Sequence, residues 1–102
     1  MRMMMFVTFP TERFNEELKQ GNVARKIKTI LDDTKPEAVY FGEQRGGERG
    51  AVVVVDIPSA DKLSGVTEPW YLAFGARVEA RVAMTAEDIG KPDFEALVKK
   101  YS

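Results

Sequence analysis

Two short segments of this sequence are apolar on both of their alternating faces, and they constrain the fold more than any other feature. They are Met3–Phe9 and Ala51–Ile57. A β-strand of this kind suits a position where both faces of the sheet are covered, and in a multi-stranded sheet the central strands are the best protected. We therefore expect these two segments to form the central pair of one sheet.

Helical patterns follow the first of these strands. Thr11 is the expected N-cap of a helix that runs to about Gln20. Gly21-Asn22 interrupts the pattern, and apolar residues at helical spacing resume from Val23 to Leu31. One kinked helix and two short helices in sequence both account for this pattern.

The middle of the chain predicts a hairpin and then more helix. Ala38–Gly42 is a β-rich run, and the polar stretch Glu43–Gly50 separates it from the second apolar strand. Pro58–Val66 is typical of a short helix. Thr67-Glu68-Pro69 predicts a second helix start with the proline at the first helical position, and Gly75 is the expected stop.

The segment Ala76–Met84 has the clearest strand pattern in the chain. Its apolar residues alternate with Arg77, Glu79 and Arg81, so one face is apolar and the other is charged. Thr85–Asp88 then resembles a capping box for a final helix. That helix carries apolar residues at i, i+3, i+4 and i+7, namely Phe94, Leu97, Val98 and Tyr101.

The order of these elements is strand, helix, strand, strand, helix, strand, followed by an extra helix. This order predicts a single α+β domain over residues 1–102, a ferredoxin-like βαββαβ sandwich with a four-stranded antiparallel sheet and an extra C-terminal helix. In that topology the helices cover one face of the sheet only. The C-terminal helix of the same chain, or the sheet of a second chain, has to cover the other face.

The composition excludes several kinds of site. The chain has no cysteine and no histidine, so thiolate metal sites, disulfides and histidine-based catalysis are absent. Its 15 basic and 16 acidic residues give a net charge of -1, which attracts neither a nucleic acid nor an anionic membrane. The apolar N-terminus meets charged residues too soon for a signal peptide or a membrane span. We expect a cytoplasmic protein without metal or cofactor.

The hairpin loop invites comparison with RNA recognition motifs, which share this topology. Arg49-Gly50 fits their signature on the third strand. Ala51, Val53 and Asp56, however, stand where stacking aromatic side chains are needed. We therefore expect no binding of nucleic acid.

Four segments of the sequence resemble a known family of proteins. They are Lys35–Phe41, Val52–Asp56, Glu68–Phe74 and Met84–Asp88. The family consists of short, uncharacterised bacterial proteins and belongs with the dimeric α+β barrels. That group includes antibiotic-biosynthesis-monooxygenase-like and muconolactone-isomerase-like proteins. The resemblance implies the ferredoxin-like fold and a homodimer, and it carries over no catalytic residue.

Two groups of residues are candidates for a ligand site. Tyr40, Trp70, Tyr71 and Phe74 would line a cleft between helices and sheet, or else they belong to the core. The second group is the polar row of Arg77, Glu79 and Arg81. On an edge strand this row is a solvated face, whereas enclosure by a dimer would place it in a polar chamber that receives an anion.

Three functions remain open from the sequence. The leading hypothesis is a homodimeric α+β barrel that binds a small organic molecule in the helix-sheet cleft. The first alternative is a cofactor-independent oxygenase or isomerase, in which Tyr40, Glu79 or Tyr71 supplies the acid or base. The second alternative is a structural or regulatory interaction module without a ligand.

Overall fold

The two apolar strands lie side by side at the centre of a four-stranded sheet, as expected. The computed structural model describes residues 1–102. Its strands are β1 (Arg2–Thr8), β2 (Ala38–Glu43), β3 (Arg49–Asp56) and β4 (Arg77–Val82). They occur in the order β2-β3-β1-β4, and all neighbours are antiparallel. The predicted α+β fold of the ferredoxin-like βαββαβ type is confirmed.

Five helices accompany the sheet. They are α1 (Thr11–Lys19), α2 (Val23–Thr34), α3 (Leu63–Phe74), α4 (Ala86–Ile89) and α5 (Phe94–Tyr101). The break at Gly21, whose φ is 72°, separates α1 from α2, so the first helical region is two helices. None of the five helices has the length and apolar character that crossing a membrane requires.

The predicted N-cap of α1 is wrong by one position. Thr11 is the first helical residue and Pro10 precedes it as the cap residue, without a side-chain hydrogen bond. The N–H of Thr11 instead donates to Oε2 of Glu48 at 2.9 Å, and its hydroxyl donates to the same atom at 3.2 Å. A carboxylate from the hairpin therefore satisfies the start of α1, which a local sequence pattern does not reveal.

The region Pro58–Phe74 also differs from the prediction. A short 3-10 turn at Ala60–Lys62 leads directly into α3, and Pro69 lies inside this helix. The helix continues because Val66, Trp70 and Phe74 bury one continuous face of it, and that burial outweighs the lost proline hydrogen bond. Gly75 ends the helix with φ 61°, as predicted.

The core lies between the sheet and the first three helices, and aromatic rings fill its centre. The Phe9 ring lies 4.8 Å from Phe14, 6.0 Å from Trp70 and 5.0 Å from Phe74, measured between centroids. The inward face of the sheet contributes the rest of the buried layer, namely Met3, Met5, Val7, Ala51, Val53 and Val55. This is the face on which the helices pack.

One carboxylate is buried where the first three helices meet. Glu17 is 6% exposed, and its Oε1 lies 2.8 Å from Nζ of Lys26 and 3.2 Å from Nε of Arg13. Both cations also donate to the carbonyl oxygen of Ala73 near the end of α3. The hydrogen bond from Lys26, helped by those from Arg13 and Asn22, lowers the pKa of Glu17 to about 2.

This cluster predicts a specific dependence of stability on pH. A carboxyl group whose pKa is lower in the folded protein stabilises it above the ordinary value of 4.5, and this contribution is lost as pH falls towards about 2. We expect urea unfolding of the wild type to show this loss between those pH values and Glu17→Gln to lack it. The control is Glu16→Gln, because Glu16 is exposed. The same pH profile for Glu17→Gln and the wild type would contradict the prediction.

The C-terminal segment 83–102, here called the C-terminal arm, extends away from the rest of the chain. The Cα radius of gyration is 17.2 Å, whereas a compact domain of this length has about 13 Å. The longest dimension of the chain is 60 Å. All residues of α5 are exposed. The C-terminal helix therefore does not cover the second face of the sheet.

Candidate functional site

The uncovered face of the sheet, here called the open face, carries four cross-strand rows. The strand register aligns Tyr40, Val52, Phe6 and Glu79 in the middle row. A second row contains Ala38, Val54, Met4 and Arg81, and a third contains Gly42, Gly50, Thr8 and Arg77. The fourth row, at the other end of the strands, pairs Arg2 with Asp56. The open face is thus apolar over the middle of β1 and β3, and charged along β4 and at this end.

The hairpin between β2 and β3 forms a wall at one end of this face. Its tip is a 3-10 turn, Arg45–Gly47, in which Gly46 and Gly47 have φ of 81° and 76°. The Gln44 side chain lies over Gly50, in space that a Cβ on that residue would occupy. The missing side chain at Gly50 therefore lets the hairpin tip approach the sheet.

The hairpin wall and the charged side chains of β4 together border a concavity of about 420 Å³. Side chains from β1, β4 and the hairpin tip supply most of its surface. The lining residues are Phe6, Thr8, Gln44, Arg45, Arg77, Val78, Glu79 and Arg81. Three arginines and one glutamate leave an excess of positive charge, and the Phe6 ring provides an apolar surface beside it.

The three arginines differ in their partners. Arg77 donates to Oε1 of Glu48 at 2.8 Å, and Arg81 donates to Oε2 of Glu79 at 3.0 Å. The guanidinium of Arg81 also lies 5.1 Å from the centre of the Phe6 ring, a cation-π distance. Arg45, in contrast, has no acidic partner in the chain.

Glu48 connects this concavity to the helix layer. Its Oε1 accepts from Arg77 and its Oε2 accepts from Thr11. The hydrogen bond from Arg77, followed by that from the Thr11 N–H, lowers the pKa of Glu48 below its ordinary value. The carboxylate is therefore held in its charged form, and it fixes the position of the Arg77 guanidinium.

The aromatic candidates from the sequence do not come together. Trp70 is 1% exposed and Phe74 is 0% exposed, so both belong to the core. Tyr71 is 38% exposed on the outside of α3. Tyr40 lies on the open face at 73% exposure, in the same row as Glu79 but separated from it by two strands. The three candidate acid or base groups, Tyr40, Tyr71 and Glu79, therefore occupy three separate places.

Two of the β3 residues compared above with the stacking positions of RNA recognition motifs do not lie on the open face. Ala51 and Val53 point towards the helices and are buried. The residues that β3 presents on the open face are Gly50, Val52, Val54 and Asp56. None of them has a ring on which a base could stack.

The sequence predicted three of the four charged lining residues and missed the fourth. The alternation in β4 places Arg77, Glu79 and Arg81 on one face, and all three line the concavity. Phe6 and Arg45 were missed. The register of β1 against β4 is the signal that would have added Phe6, because it pairs with Glu79. No local pattern points to Arg45.

No three acidic side chains come together at the spacing that a metal ion needs. The groups that the concavity offers are guanidinium donors, one carboxylate and one aromatic ring. Such groups bind an anion that also has a flat apolar part.

A scan against protein-family models matches none of them, and a search of curated proteins gives no match.

Proposed function

We propose that this chain forms a homodimer through the open face of its sheet and binds a small organic anion, such as an aromatic carboxylate, in the concavity beside β4. The observation that carries the proposal is that Arg45, Arg77 and Arg81 line one concavity together with the Phe6 ring. The ligand site is thus on the opposite side of the sheet from the helix-sheet cleft, because Trp70 and Phe74 fill that cleft as core residues.

The arginine without a partner gives the best support for an anionic ligand. A guanidinium group carries five donors in a planar fork that matches a carboxylate. Arg77 and Arg81 already use some of these donors in ion pairs with Glu48 and Glu79. Arg45 faces the same space with its donors free, so a ligand carboxylate completes the charge balance that the chain itself leaves open.

The dimer follows from the apolar part of the open face. Met4, Phe6, Val52, Val54 and Tyr40 lie next to one another across three strands. Monomers rarely leave an apolar patch of this extent uncovered. The dimeric α+β barrels that the sequence resembles associate through the same kind of sheet. A second copy on this face would also shield the concavity, whose arginines are exposed in the single chain.

The geometry favours binding over catalysis. A cofactor-independent oxygenase or isomerase needs an acid or base within hydrogen-bond reach of its substrate. Glu79 is the only such carboxylate in the concavity, and it is paired with Arg81. Tyr40 and Tyr71 lie elsewhere.

The test is a calorimetric titration with salicylate, which joins a carboxylate to an aromatic ring. We expect the wild type to bind salicylate and Arg45→Gln to bind it about ten- to a hundred-fold more weakly, the usual value of a charged hydrogen-bond contact. Glu79→Gln should bind it more tightly, because it removes a repelling carboxylate. Salicylamide has the same ring without the charge, and we expect it to bind far more weakly.

The matched control is Arg25→Gln. Arg25 is an exposed arginine of α2 that lies outside the concavity and has no acidic partner. It should leave salicylate affinity unchanged. Absence of salicylate binding to the wild type, or equal losses in both arginine variants, would refute the anion site and favour an interaction module without a ligand.

A further inference from the structure

Two apolar surfaces of this chain lack a partner. One is the open face of the sheet. The other is a side of α5, where the helical spacing aligns four exposed residues, namely Phe94, Leu97, Val98 and Tyr101. Both surfaces belong to the same chain, so they occur in equal numbers in any assembly of identical copies.

The helices of the C-terminal arm are locally well specified but too short to be stable alone. Thr85 and Asp88 form a reciprocal capping box at the start of α4. Oδ1 of Asp93 accepts a hydrogen bond from the Ala96 N–H at the start of α5, at 3.0 Å. An isolated helix of fewer than about 12 residues is marginal in water. The eight residues of α5 therefore need a surface to pack on.

The dimensions of α5 and the open face agree. Eight residues at about 1.5 Å each give α5 a length of about 12 Å. Four strands spaced about 4.8 Å apart measure about 14 Å from the first to the last. One α5 helix is thus long enough to cross three of the four strands, from β4 to β3.

The charges of the two surfaces are complementary at β4. The first part of the arm is acidic: it carries Glu87, Asp88, Asp93 and Glu95 against the single lysine Lys91. The concavity beside β4 has an excess of positive charge, because Arg45 has no acidic partner. The acidic start of an arm therefore matches the β4 side of the open face.

We infer that, in the proposed homodimer, each C-terminal arm lies across the open face of the partner chain and buries the apolar side of α5 on the rows of Phe6 and Met4. The inference rests on the dimer of the proposed function and specifies what covers the sheet. A second copy is the occupant because the arm extends away from its own sheet. A two-fold exchange covers both open faces at once and leaves neither surface unpaired. The partner's arm then forms a roof over the concavity.

The first experiment measures dimerisation by sedimentation velocity at several concentrations. Leu97→Glu places a charge on the apolar side of α5 in a residue that is exposed in the single chain. We expect it to raise the dimer dissociation constant about a hundred-fold, because both arms of the dimer change together. The matched control is Ala96→Glu, which places the same charge on the opposite side of the helix. It should change the constant by less than about threefold.

The second experiment separates arm exchange from direct contact between two sheets. Val54→Glu places a charge on the open face, so it should also prevent dimerisation. In an equimolar mixture of Leu97→Glu and Val54→Glu, an intact arm can meet an intact face once per mixed dimer. We expect the mixture to form dimers at concentrations where each variant alone is a monomer.

Each other result overturns the inference. If Leu97→Glu dimerises like the wild type, or if the mixture gains no dimer, the arm does not cover the partner. The dimer through the sheet then stands without arm exchange. If the wild type is a monomer at about 100 μM, above the range of stable dimers, both the dimer and the exchange fall. The salicylate titration still tests the anion site by itself.

Discussion

Replacing Trp70 by alanine is expected to cost about 3–5 kcal/mol of unfolding free energy, which is a large part of the stability of a small domain. Trp70 is almost completely buried and contacts the Phe9 and Phe74 rings at 6.0 and 6.4 Å between centroids. Truncation leaves a cavity that three helices and a sheet surround, and such a site relaxes poorly. Denaturant unfolding followed by circular dichroism measures the loss, since the variant has no tryptophan left to report by fluorescence.

The neighbouring residue provides the control. Tyr71 follows Trp70 directly in α3 but lies largely outside the core. Tyr71→Ala should cost about 1 kcal/mol or less, as for most surface substitutions. Equal losses in the two variants would contradict the assignment of Trp70 to the core. A small loss for Trp70 together with a loss of ligand affinity would return this residue to the candidate site.

Replacing Gly50 by alanine is expected to cost about 1–3 kcal/mol, the usual range for an overpacked position. A Cβ at this residue would collide with the Gln44 side chain and with the carbonyl oxygen of Val7. The glutamine can move, but the carbonyl belongs to the central strand β1 and cannot. The same substitution pushes the hairpin tip away from the sheet, so salicylate affinity should fall as well. Urea unfolding and the calorimetric titration measure the two effects.

Gly42 is the matched control because it pairs directly with Gly50 across the sheet. A Cβ there meets nothing within 4 Å. Gly42→Ala should therefore cause no loss of stability, and the reduced freedom of the unfolded chain favours a small gain. If both variants behave alike, the close approach at Gly50 is not what shapes the hairpin.

The sheet was largely predictable because its signals are local. Apolar residues on both faces marked β1 and β3, and strict alternation marked β4. The helix boundaries failed where the deciding contact is distant. The cap of α1 comes from Glu48, and Pro69 stays helical because its neighbours Val66 and Trp70 are buried by the sheet.

The site was predictable only along β4. Arg77, Glu79 and Arg81 share a face by their spacing alone, whereas Arg45 joins them through the path of the hairpin tip. The aromatic residues show a different limit. A ligand cleft and a packed core use the same side chains, so sequence alone does not separate the two for Trp70 and Phe74.

The double contact of Glu48 links the two sides of the sheet thermodynamically. One carboxylate oxygen holds Arg77 at the concavity, and the other holds the first N–H of α1. A ligand that competes for Arg77 changes how strongly Glu48 holds the helix start, and by reciprocity any event that frees this helix start changes ligand affinity by the same factor. A change in the position of the α1 start and the binding of a ligand at the concavity are therefore energetically coupled, although they lie on opposite sides of the sheet.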